Sequence, residues 1–149
     1  MTTDVAFSDQ EFLHDPETGV LGDCWRASIA SVVGCPIADV PHFVRDYPQQ
    51  EGDETARWFA ETCRWLSEHY GVTVLFYDQP RAVRAEYRTE VSAFMHIVID
   101  SKSPRFDLNH CVVGDAVTGE IVHDPHPDRT GLREVTGAFV LVRAETTDA

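Results

Sequence analysis

Residues 109–125 read Asn109-His110-Cys111-Val112-Val113-Gly114-Asp115-Ala116-Val117-Thr118-Gly119-Glu120-Ile121-Val122-His123-Asp124-Pro125. Two short β-branched runs flank a polar, glycine-bearing centre, which is the pattern of two antiparallel strands joined by a tight turn. The strands are expected over 110–114 and 120–123, with the turn over 115–119. His110 then opens one strand and Asp124 closes the next, so a hairpin brings the two side by side. The pair becomes a property of one supersecondary unit.

Other strand-like runs lie around this hairpin. Val72 to Tyr77 is β-branched and aromatic, Ser92 to Asp100 contains Ile97-Val98-Ile99, and Ala138 to Arg143 is apolar. Upstream the periodicity is helical instead. From Cys24 to Val33, Trp25, Ile29 and Val32 fall on one face, and Gly34 and Pro36 supply the stop. A short helix is expected from Asp39 to Arg45, with Asp39 as N-cap and Pro41 in its first turn. A longer one runs from Glu54 to Tyr70, capped by Asp53 and ended by Gly71, with Phe59, Cys63, Leu66 and Tyr70 at helical spacing. Helices first and an antiparallel sheet after is an α+β arrangement. The 149 residues are enough for one domain, 1–149, with a polar, turn-rich amino-terminal segment over 1–21.

Composition bounds the function. Apolar residues make up 43% and aromatics 10%, which argues for a packed core. Twelve basic against 25 acidic residues give a formal charge of −13. Such a charge opposes binding to nucleic acid or to anionic membrane and favours a cationic partner. No apolar run is long enough to span a bilayer, and the acidic start MTTDVAFSDQ has no secretory pattern, so a cytoplasmic protein is expected. Cys24, Cys35, Cys63 and Cys111 form no CxxC pair, so neither a disulfide framework nor structural zinc is expected. At most one of the four needs a chemical role, leaving the others as small buried hydrophobes.

That one is Cys24. Gly22-Asp23-Cys24-Trp25-Arg26-Ala27 delivers a cysteine to a helix start, where unpaired amides stabilise a thiolate. The same amides can face an oxyanion during acyl transfer. The neighbouring Asp23 must then point away, because an adjacent carboxylate favours the neutral thiol. A thiol nucleophile needs a base, and the base needs an orienting acceptor. His110 and Asp124 supply both. His96, ahead of Ile97-Val98-Ile99, is the second candidate base, but no Asp-Pro stands at hairpin distance from it. The cluster His123-Asp124-Pro125-His126 invites a metal site, yet neighbours on a strand point to opposite faces, so no metal or other cofactor is expected. Trp58 and Trp65 on the long helix read as packing residues, and Trp25 as core that also walls the cleft.

The ordered set Gly22-Asp23-Cys24, His110-Cys111-Val112-Val113 and Asp124-Pro125 resembles the papain-like cysteine peptidase superfamily, in particular its small bacterial C39-like branch. The resemblance covers the chain from Gly22 to Val142. It implies a papain-like fold, with amino-terminal helices on an antiparallel sheet, and a Cys24-His110-Asp124 triad acting through an acyl-thioester. It also implies a glutamine about six residues before the cysteine as oxyanion donor. Position 18 is Thr18, and the one upstream glutamine is Gln10, fourteen residues away, which reaches the site only if the loop folds back. The expected activity is that of a peptidase or amidase on a peptide or protein substrate with basic residues near the reacting bond. The alternatives are a transglutaminase-like acyltransferase and a non-catalytic C39-like domain that only holds a peptide.

Overall fold

A computed structural model describes residues 7–77, 92–106, 108–131 and 133–143. The first six residues of the acidic amino-terminal segment lie outside the described residues. The elements run in the order α1 (Cys24–Val33), a 3-10 turn (Ile37–Asp39), α2 (Phe43–Asp46), α3 (Arg57–Tyr70), β1 (Val72–Tyr77), β2 (His96–Lys102), β3 (Asn109–Asp115), β4 (Ile121–His123) and β5 (Glu134–Arg143). The protein is α+β: among the described residues, three α-helices pack on an open, five-stranded antiparallel sheet of order β1-β5-β2-β3-β4. No single helix among the described residues is long and apolar enough to cross a membrane.

Strand alternation divides the core. Val98, Cys111, Val113, Phe139 and Leu141 face the helices, where they meet Trp25, Ile29 and Leu66. Ile97, Ile99, Val112, Ala138 and Val140 form a second apolar cluster, as period-two patterning requires. The α1 sequence is apolar nearly all round, and Trp25 to Val32 is buried except for Arg26. The helix lies across β3 and β2. Its buried Trp25 donates from Nε1 to Thr62 Oγ1 of α3 at 2.9 Å, and its ring meets Trp58 and Phe139 edge to face. These contacts fix the start of α1, where Cys24 sits. Gly34 ends the helix at φ 77°, a left-handed conformation that costs a residue without Cβ little.

The hairpin forms as its sequence predicts. The Asp115 carboxylate accepts from the amides of Val117 and Thr118, both at 2.8 Å, and the Gly119 amide donates back to the Asp115 carbonyl. A bulge lies between the pairs Val113–His123 and Gly114–Ile121.

Four boundaries differ from the sequence reading. The expected helix from Asp39 to Arg45 is divided. Pro41 holds Val40 extended (φ −102°, ψ 127°), so Asp39 closes a 3-10 turn instead of capping a helix. His42 caps α2 in its place, accepting the Arg45 amide on Nδ1. The long helix begins at Arg57, not Glu54. Asp53 is drawn into the preceding turn by the Gln50 amide and pairs with the Arg57 guanidinium, so it does not act as the cap. Ser92 makes a local turn through the Phe94 amide and carbonyl, and β2 therefore starts at His96. β5 starts four residues before Ala138, because backbone pairing with β2 extends it through exposed Glu134, Val135 and Thr136.

Because Ile29 is fully buried at the centre of α1, Ile29→Ala is expected to cost about 2–5 kcal/mol and Ile29→Val about 0.5–1.5 kcal/mol. Urea unfolding with both variants measures this, and equal small losses would contradict close packing of α1 against the sheet.

Candidate active site

Cys24 is the first residue of α1, and its side chain lies half-buried where that helix crosses β3. Its sulfur accepts the backbone N–H of Cys111 at 3.4 Å. His110, the preceding residue on β3, is buried and donates from Nε2 to Asp124 Oδ1 at 2.8 Å. That leaves Nδ1 as the nitrogen for the hydrogen bond between the His110 and Cys24 side chains. The structure thus brings together Cys24, His110 and Asp124.

Asp124 is buried, and a buried carboxylate is tolerated only when its lone pairs are satisfied. Besides the His110 ring it accepts the amides of His126 at 2.9 Å and Gly131 at 2.7 Å. The loop after Asp124-Pro125 therefore wraps its carboxylate. Arg129 closes the wrap by donating to the Asp124 carbonyl and to both oxygens of Asp9. It does so in the left-handed region, at φ 55°, which a side chain rarely adopts.

The electrostatics follow from these contacts. The Cys24 thiol is held well below its ordinary value, first by a hydrogen bond from the Cys111 thiol, then by His110 and the Cys111 amide, against the opposing effect of burial. Burial disfavours a charged His110, yet the hydrogen bonds and negative charges of Asp124 and Cys24 raise it to about 9. Burial likewise opposes the ionised Asp124, but its donors bring it down to about 2. These contacts favour the thiolate form of Cys24, the imidazolium form of His110 and the ionised form of Asp124. The partly positive start of α1 adds to the thiolate's stability.

Asp23 points away from the sulfur, as a thiolate requires. It is fully buried and spends its carboxylate on the amides of Glu11 and Phe12 and on the Arg26 guanidinium. This draws residues 10–12 over the start of α1. Gln10 comes with them, its own amide donating to the Pro125 carbonyl at 3.0 Å. The glutamine does fold back: Gln10 lines the same cavity as Cys24 and His110. Its Nε2 donates one N–H to the Phe12 carbonyl and lies 3.3 Å from where a Cβ on Gly22 would be. Its Oε1 is buried with no hydrogen-bond partner among the described residues. Gln10 and the start of α1 thus border the same cavity as the Cys24 sulfur.

The cavity holds about 390 Å³ and is mainly apolar, walled by Trp25, Trp58 and Phe139 on one side and Phe106 and Leu108 on another. His96 does not line it; its ring stands edge-on to Phe7, and burial lowers its basicity. His123 bonds the Ser8 carbonyl and Asp9, while His126 accepts the Asp128 amide. Among the described residues no three such side chains converge to hold a metal ion. Trp65 packs on Phe43 and His69, away from the cavity.

Two participants escaped the sequence reading. Cys111 is buried in the core as a small hydrophobe should be, but its thiol also hydrogen-bonds the Cys24 side chain, and that bond, with burial, pushes it well above the ordinary range. Asp100 pairs with Cys111 across β2 and β3, and its carboxylate lies 3.7 Å from the Cys111 sulfur. The available signals were a cysteine next to His110 and a carboxylate ending an otherwise apolar strand. Neither shows its cross-strand partner in the chain itself. Comparisons with protein-family models, curated proteins and solved structures found no match to this chain.

At pH 6 iodoacetamide is expected to label Cys24 ahead of Cys63 and Cys111, whose thiols are shifted upward by burial and, for Cys111, by the neighbouring Cys24. Asp124→Asn removes the support of the imidazolium and should slow that labelling by about tenfold, the effect of one pKa unit on thiolate population. Peptide mapping reads both outcomes, and preferential modification of Cys35 or Cys111 would contradict the assignment.

Proposed function

We propose that this protein is a cysteine-dependent hydrolase, a peptidase or amidase of papain-like, C39-like type. The single observation behind this reading is the continuous hydrogen-bonded series Asp124–His110–Cys24, whose His110 and Cys24 line an apolar cavity. In this reading the Cys24 thiolate attacks a substrate carbonyl carbon, and the carbonyl oxygen becomes an oxyanion facing Gln10 Nε2 and the first amides of α1. His110 gives its proton to the leaving amine as the C–N bond breaks, leaving an acyl-thioester on Cys24. Neutral His110 then takes a proton from water, whose oxygen attacks the thioester. The C–S bond breaks, and the thiolate–imidazolium pair returns. Asp124 holds the ring through Nε2 throughout and keeps Nδ1 toward the sulfur.

The substrate in this proposal is a peptide or protein, with basic residues favoured by the charge of −13. The chemistry suits the cytoplasm, where a reducing environment keeps all four free cysteines as thiols. No metal or organic cofactor takes part in the scheme.

Turnover of a peptide and isopeptide library, with and without an added amine, tests the proposal. Hydrolysis that survives chelators, is abolished by Cys24→Ala and persists in Cys63→Ala is the expected result. Gln10→Ala should lower kcat by about 10²–10³-fold, the usual loss for one oxyanion donor. The rate should fall as pH rises through about 9, where His110 loses the proton it must donate. Products formed only with the amine present would replace hydrolysis by acyl transfer, and binding without turnover would replace it by a peptide-holding role.

A further inference from the structure

The triad does not use Asp100, although this carboxylate lines the same cavity. Asp100 is on β2, in register with Cys111 of β3 and Gly137 of β5. Its polar contacts are neutral: the carboxylate meets the Asn109 side-chain amide at 3.3 Å, the Cys111 thiol at 3.7 Å and the Ser101 backbone, and the Thr136 hydroxyl donates to the Asp100 backbone carbonyl at 3.2 Å. No ion pair joins it to another described residue, whereas the other charges on the wall are already engaged. Arg105 is held by Asp128 at 2.9 Å and by Thr130 at 2.6 Å, and His110 is held by Asp124.

A half-buried carboxylate on an apolar wall is costly without a counter-charge. Burial and the nearby Cys24 thiolate raise it to about 6, so it remains mostly ionised at neutral pH. The surroundings specify the counter-charge further. Trp25, Trp58 and Phe139 line the same cavity, and aromatic faces attract a cation on an apolar stem but gain little from an anion.

We propose that Asp100, with the Trp25, Trp58 and Phe139 side chains, forms a subsite beside Cys24 that takes a cationic side chain carried on an apolar stem, an alkylammonium or guanidinium group, from the molecule undergoing attack. It deepens the hydrolase reading and rests on it for the identity of that molecule, but the subsite is testable without turnover. The net charge of −13 draws cations toward the protein from a distance, and salt screens that attraction. Asp100 acts locally, at a few ångströms and away from bulk solvent, so its selection outlasts the screening.

The test is irreversible alkylation of Cys24 by three reagents: neutral iodoacetamide, anionic iodoacetate, and an iodoacetamide bearing a trimethylammonium group on a short alkyl arm. Rates are read at Cys24 by peptide mapping, at low salt and in 0.5 M salt. Each variant's rate with the neutral reagent is its reference for folding and thiolate content. The native protein should favour the cationic reagent over the anionic one in both salts. Asp100→Asn should lower that ratio by about tenfold in 0.5 M salt, and Asp100→Glu should keep it, as expected for a local charge. The control Glu17→Gln, at an exposed turn, should leave it unchanged. A cationic preference that survives Asp100→Asn, or that vanishes in salt for the native protein, overturns the subsite. Absence of peptide turnover beside intact alkylation selectivity would instead overturn the hydrolase and leave the subsite standing.

Discussion

Three charges in an apolar setting have to be satisfied together, and the Asp124–His110–Cys24 series is how this chain does it. A buried carboxylate, a buried imidazole and a thiolate each carry a desolvation cost that only hydrogen bonds and opposite charge offset. Asp124 takes donors from its own loop and from the His110 ring, His110 faces the sulfur, and the sulfur takes the Cys111 amide. Each member lies on a different element: the loop after β4, the strand β3 and the first turn of α1. The relative placement of helix, sheet and hairpin is therefore tied to one polar seam, and a shift in any of the three leaves a charge without its partner.

The amino-terminal segment is the second half of that arrangement. Among its described residues the regular structure is the isolated bridge between Asp15 and Val20, yet the segment borders the site. Asp23 anchors it at Glu11 and Phe12, and Arg129 and His123 anchor it at Asp9 and Ser8. Gln10 lies between those two anchors. A side chain fourteen residues from the cysteine thus reaches the cavity because Asp23, adjacent to Cys24, fastens the loop there. The carboxylate that looks harmful to a thiolate in the linear sequence is the one that brings Gln10 to the site, with its charge matched by Arg26.

Cys111 shows how one side chain can belong both to the packed core and to a polar cluster. It belongs to the helix-facing core with Val113 and Leu141, and it also meets the sulfur of Cys24 on one side and Asp100 on the other. Strand alternation explains the double duty. A residue one step beyond His110 on β3 faces α1, and α1 begins with Cys24.

The sequence by itself determined the local features. The hairpin over 110–123 was legible because Asp115 and Gly119 carry the turn chemistry, and α1 because its apolar spacing ends at a glycine that takes φ 77°. The order of Cys24, His110 and Asp124 was legible too, since two of the three belong to one hairpin. Boundaries were read less well where a side chain was recruited elsewhere, as with Asp53 in its turn or Pro41 ahead of α2. The tertiary structure alone decided that β5 enters the sheet between β1 and β2, that Gln10 returns to Cys24, and that Asp100 and Cys111 stand together beside the sulfur. The physical reason is that turn and helix signals act between residues a few positions apart, through backbone sterics and short hydrogen bonds. Strand pairing and loop closure join residues far apart in the chain, where the deciding energy is the burial and hydrogen bonding of partners that no local pattern names.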